Sequence, residues 1–261
     1  MSLCVAALLS LSPDPQELLD SALEVYDMLR AVKLRASDYL AIAAYQIASQ
    51  TEPANYQNVV NRARVFYNGL KAHHFFHAGK DDYIFAAMLG LSDLDAITGI
   101  ERIERFYNLL NGEFWNKSST LALSQVLVIG GSGDSDVCRV LALRNALRVQ
   151  KIKMDKSYTL PTLGLLALLP IELDIVVRDL AEAQQVLRTQ KGFSPLSVTT
   201  QELLIFAAAL VTGEYAENMK DGVLTATLST SIANIIIAQQ TAMIVAISAS
   251  TAAAASSSSS S

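Results

Sequence analysis

A chain of 261 residues, 51% of them hydrophobic and only 17% charged, has ample material for a buried core. Its net charge of −5 argues against nucleic acid as the main partner, because phosphate contacts need a basic surface. Two cysteines, Cys4 and Cys138, are too few for a disulfide framework; both fall on apolar helical faces and read as buried thiols of a reducing, cytoplasmic compartment.

The first element, LCVAALLSL from Leu3, is short and almost wholly apolar. It resembles the apolar run of a signal peptide, but no Lys or Arg precedes it and no small-x-small cleavage site follows, so it is expected to be a helix of the domain itself. The chain thus opens inside a helix, with the expectation that longer relatives carry something before it. A polar break, Ser12-Pro-Asp-Pro15, leads into an apolar stripe of Leu18, Leu19, Ala22, Leu23, Tyr26 and Leu29. That i, i+3, i+4, i+7 spacing predicts an amphipathic helix.

The same two signals then recur along the chain. Short apolar stretches start at Leu40 (LAIAAYQIA), Tyr83 (YIFAAMLGL), Leu121 (LALSQVLVI), Leu160 (LPTLGLLAL) and Leu204 (LIFAAALVT). Striped segments follow, Val59 to Leu70, Ile100 to Leu110 and Ile175 to Leu187 among them. The steps between the apolar starts are 37, 43, 38, 39 and 44 residues, in the range of solenoids built from two helices per unit. Small pairs such as Ala43-Ala44 and Ala86-Ala87 let a neighbouring helix approach closely, and an almost wholly apolar helix is buried on most sides. Helix starts are expected at Asp81-Asp82, Ser118-Ser119-Thr120 and Thr159, with a capping box at Thr199-Thr-Gln-Glu202. Strand-like alternation is absent.

After Asp221 no charged side chain occurs for forty residues. The stretch Leu228 to Ile247 is apolar, but its strongest part, from Ile232, is shorter than the roughly 20 residues of a membrane span and lacks flanking Lys or Arg. It reads as a final helix covering the open end of a repeat stack. Homo-oligomer formation through that helix and contact with a membrane surface are the alternatives. The Ala/Ser tail, 251–261, is expected to be disordered.

All three histidines lie in His73-His74-Phe75-Phe76-His77, with Asp81 and Asp82 close behind. If the segment is helical, His73 and His77 share a face. Two histidines and a carboxylate would bind a divalent metal such as zinc with one position open for water, so His73, His74, His77, Asp81 and Asp82 are the candidate metal ligands. The competing reading is an inter-unit turn, with Phe76 and Trp115 as aromatic anchors of equivalent turns. Gly130-Gly-Ser-Gly-Asp134 lacks the dinucleotide, P-loop and nucleophile-elbow patterns and reads as a flexible loop. Arg144, Arg148 and Lys151 form a basic stripe, read as a solvated face or a site for an acidic peptide or a phosphate-bearing ligand. No catalytic residue and no cofactor other than that metal is indicated.

The strings SDYLAIAAYQIAS (Ser37 to Ser49), DDYIFAAMLGLSDLD (Asp81 to Asp95), ERIERFYNLL (Glu101 to Leu110), LPTLGLLALL (Leu160 to Leu169), QKGFSPLS (Gln190 to Ser197) and ELLIFAAALV (Glu202 to Val211) carry a resemblance over essentially the whole chain. With the AQQTAMIVAISAS end, they resemble a mainly Gram-positive bacterial family, domain of unknown function 4003. The resemblance implies no activity, cofactor or site residue.

The expected fold is all-α: one domain over 1–250, with helix-pair units near 3–39, 40–82, 83–120, 121–159, 160–203 and 204–250 stacked into an α-solenoid or curved superhelix. The expected function is a cytoplasmic scaffold that binds a protein or peptide partner. The alternatives are a metal-binding protein or metal-dependent enzyme using the histidine turn, and a membrane-peripheral protein using the C-terminal helix.

Overall fold

The computed structural model describes residues 3–74, 78–156 and 159–218. Among them are eleven α-helices and no strand. These are α1 (Leu3–Leu9), α2 (Pro15–Ala31), α3 (Asp38–Gln50), α4 (Tyr56–His73), α5 (Asp82–Leu91), α6 (Ala96–Leu110), α7 (Lys117–Ile129), α8 (Asp134–Val149), α9 (Thr159–Ala167), α10 (Leu173–Thr189) and α11 (Thr200–Asn218), with a 3-10 turn at Pro53–Asn55. Each short apolar stretch of the sequence is an odd-numbered helix, and each striped segment is an even-numbered one. The chain divides into two compact units, one running to Ile97 and one from Thr98. The Leu228 to Ile247 segment and the Ala/Ser tail lie outside the described residues.

In the first unit α3 packs against α1, α2 and α5, and α4 packs against α2 and α5. Their meeting faces form one apolar cluster that includes Val25, Leu29, Leu40, Ile47, Val60 and Ala87. Burying each such large side chain contributes about 1.5 to 3 kcal/mol. Every residue of α5 from Asp82 to Gly90 is buried, whereas α4 buries its predicted stripe and Tyr56 at its start. A Cβ on Gly90 would lie 2.9 Å from the Val59 carbonyl oxygen and 3.0 Å from the Ala63 nitrogen, so α4 and α5 meet backbone to backbone there.

In the second unit α9 packs against α7, α8 and α11, and α10 against α8 and α11. All nine residues of α9 are buried. Gly164 gives α9 its close approach to α7, since a Cβ would lie 2.5 Å from Leu123 Cδ1.

One device recurs in both units. Arg62 of α4 donates from Nε to the Gly90 carbonyl at 3.0 Å and from Nη2 to those of Ser92 and Leu94 at 2.6 and 2.7 Å. Arg139 of α8 donates from Nε to Ala167 and from Nη2 to Leu169, both at 2.8 Å, and from Nη2 to Ile171. The separations in sequence are the same in the two cases, namely 28, 30 and 32 residues. Arg102 of α6 repeats the middle contact, donating to Ser132 at 2.6 Å across 30 residues. The last turn of a helix leaves carbonyls without intrahelical donors. A guanidinium there satisfies several at once and sits at the negative end of the helix dipole.

The capping box at Thr199 forms as expected: its N–H donates to Glu202 Oε2 at 2.6 Å, and Glu202 N–H donates back to Thr199 Oγ1 at 3.3 Å. Other expectations are corrected. The cap of α7 is Asn116, which accepts from Ser119 N–H at 2.9 Å, not the run Ser118 to Thr120. Cys138 is exposed, not buried. Trp115 is 97% exposed and anchors nothing; the buried aromatic of that turn is its neighbour Phe114, with the Arg144 guanidinium 5.3 Å from the ring centre. Of the basic stripe, Arg148 and Lys151 are exposed as expected, but Arg144 is buried and pairs with Glu113 at 2.9 Å, and Arg148 pairs with Asp155. The glycine-rich loop is a helix ending: Gly131 takes φ 75°, and Ser132 N–H reaches back to the Leu127 carbonyl at 3.0 Å.

Candidate functional site

The histidine turn between α4 and α5 holds the sequence-predicted residues, and a groove beside α2 and α3 holds polar side chains at an open cleft.

At the histidine turn, α4 ends at His73, which is exposed. His74 leaves helical geometry (φ −124°, ψ 48°) and ends α4. His74 is buried, its N–H donates to the Leu70 carbonyl at 2.8 Å, and its own carbonyl accepts from Ala78 at 2.8 Å. His77 lies outside the described residues. Asp81 precedes α5 and is exposed. Neighbouring protein desolvates its carboxyl and raises its pKa, partly offset by the backbone N–H groups of Asp81 and Asp82. Asp82 is buried and its Oδ2 accepts the Gly79 N–H at 2.7 Å, which closes the turn. Behind it the Tyr67 and Tyr83 rings meet edge to face at 4.8 Å, and Tyr83 Oη accepts the Arg35 N–H at 3.1 Å. Burial first, then Tyr83 and the Asp82 charge, push the Tyr67 phenol well above its usual range. Among the described residues no three His, Cys, Asp or Glu side chains are grouped to hold a metal ion.

The groove has a volume of about 880 Å³ and is open to solvent. Three segments shape it: the α1–α2 connection, the exposed side of α2, and the C-terminal end of α3 with the 3-10 turn beyond it. Leu8, Leu18, Tyr45 and Ala48 supply apolar wall, and burial raises the Tyr45 phenol. Asp14, Glu17 and Glu52 supply charge, and no Lys or Arg lines the groove. Asp14 also caps α2, accepting Glu17 N–H at 3.0 Å. Glu17 and Glu52 have no ion-pair partner among the described residues. An apolar groove of about 680 Å³ lies on the same helices, lined by Val5, Leu19, Leu23, Tyr26 and Ala41 among others.

The sequence-predicted site residues and the groove do not coincide. None of the groove's polar residues is marked by a motif, since Ser, Thr and Glu at a helix end look like ordinary punctuation. The arginine device did leave a sequence signal: Arg62, Arg102 and Arg139 recur at steps of 40 and 37 residues, in phase with the repeat.

Compared with protein families, residues 1–241 match the description "Protein of unknown function (DUF4003)". The chain belongs to the DUF4003 family. No curated protein and no solved structure matches it. Both the histidine turn and the groove fall inside the DUF4003 region. No helix among the described residues is long and apolar enough to cross a membrane.

Proposed function

We propose that this DUF4003 chain is a cytoplasmic helical-repeat scaffold of the α-solenoid kind, and that it holds an extended peptide segment of a protein partner in the groove beside α2 and α3. The groove carries the reading: about 880 Å³ of open cleft with apolar walls and carboxylates but no cation. The repeat architecture is supported by the alternation of buried and striped helices and by arginine contacts that return at the same sequence separations. Stacked helix pairs present extended surfaces suited to such partners.

Peptide display against the full chain tests this. Selected peptides are expected to bind with micromolar affinity and to lose binding at least ten-fold when Tyr45→Glu puts a charge in the groove wall, with the circular dichroism spectrum unchanged. Selection that enriches no binder, or binders indifferent to Tyr45→Glu, would overturn the reading.

A further inference from the structure

The groove stands where α4, α6 and α8 each supply an arginine to the helix end that follows. Arg62 is the seventh residue of α4 and reaches Gly90, Ser92 and Leu94, which are the next-to-last residue of α5, its C-cap and the residue two beyond. Counting α2 and α3 the same way gives Ser21 as the seventh residue of α2, and Ser49, Thr51 and Pro53 as the three carbonyl positions; the Pro53 carbonyl already accepts the Tyr56 N–H in the 3-10 turn, which leaves those of Ser49 and Thr51 as the main acceptors. The separations are again 28, 30 and 32 residues, and all four positions line the groove. A serine side chain from position 21 is too short to span what the arginines of α4 and α8 span.

We propose that this groove is a socket for a guanidinium, supplied by an arginine of the bound peptide in place of the arginine that α2 lacks. The inference rests on the scaffold reading and names what the groove selects. The carbonyls at the end of α3 form the negative pole of that helix. Glu17 and Glu52 add charge of the same sign. A planar guanidinium has donors enough to meet three carbonyls at once, as Arg62 does, whereas an ammonium is a compact point charge. Arginine is therefore preferred over lysine, and the neutral isostere citrulline is rejected.

The test is an NMR titration of the ¹⁵N-labelled full chain with acetyl-arginine amide, acetyl-lysine amide and acetyl-citrulline amide. Acetyl-arginine amide is expected to shift the amide signals of Ser21, Ser49 and Thr51, with at least ten-fold weaker response to citrulline. Ser21→Arg fills the socket from within; it is expected to raise the Tm and to abolish the response. An equal response to arginine and citrulline overturns the proposal on the wild-type chain alone, even if Ser21→Arg fails to fold. A Ser21→Arg chain that folds and still binds acetyl-arginine amide also overturns it. Display-selected peptides that bind in the groove without arginine would sink the socket and leave the scaffold standing. A response to acetyl-arginine amide with no peptide ever selected would do the reverse.

Discussion

Gln46 is 1% exposed in α3, and neither its Nε2 nor its Oε1 has a hydrogen-bond partner among the described residues. A buried polar group left in that state costs about 1 to 3 kcal/mol. Gln46→Leu, close in volume and without the amide, is expected to stabilise the chain by that amount, read as a higher urea midpoint at unchanged m-value; a lower midpoint would show that the amide is needed. Asp155 shows the opposite balance. Its burial acts to raise the pKa, but the hydrogen bond and charge of Arg148 outweigh it and hold the carboxyl below its ordinary value of 3.8. A carboxylate with a depressed folded pKa contributes stability above its unfolded pKa and loses it as pH falls through the folded one. Asp155→Asn is therefore expected to be less stable than wild type at pH 7, with the two melting curves converging well below pH 3.8.

At the level of helices, two features fix how neighbours meet. Gly90 is the close-approach point of α4 and α5, and a methyl group there meets backbone on two sides, which cannot move aside as a side chain can. Overpacking of this kind costs about 1 to 3 kcal/mol. Gly90→Ala is expected to lower stability by that much in denaturant unfolding, although alanine is the better helix former. The arginine contacts join an amphipathic helix to the end of the next apolar one. Hydrogen bonds to a charged group contribute about 1.5 to 3 kcal/mol. Arg139→Ala is expected to cost about that amount, and Arg139→Lys to recover only part of it, because an ammonium cannot reproduce the fork. Full recovery by lysine would mean that charge alone suffices.

For the molecule as a whole, Arg62 and Arg139 serve different compact units and share no partner. Independent sites add within about 0.5 kcal/mol. The Arg62→Ala, Arg139→Ala double variant is expected to lose the sum of the single losses in calorimetry or denaturant unfolding. A departure well beyond that would show that the two clamps are coupled through the fold. Membership in DUF4003 extends over residues 1–241, so the groove and all three arginine contacts belong to the family region rather than to an appended segment.

Hydrophobic periodicity was enough to place ten of the eleven helices among the described residues, all but α8, because a buried helix and a half-buried one leave different patterns in one dimension. The capping box at Thr199 was legible for the same reason: its partners lie three residues apart. What the sequence could not decide depends on partners far along the chain. Arg144 reads as a solvated charge until Glu113 and Phe114 are brought beside it. Trp115 and Phe114 are adjacent, and only packing decides which of them is buried. That the Asp82 carboxylate takes the Gly79 N–H is likewise invisible until the turn has folded. Ser21 carries no signal of its own; it acquires one only when Arg62 and Arg139 are found holding helix ends 28 to 32 residues away. Local patterns fix helices because their energetics act over a few residues, whereas a groove is made by side chains that meet only after the helices have packed.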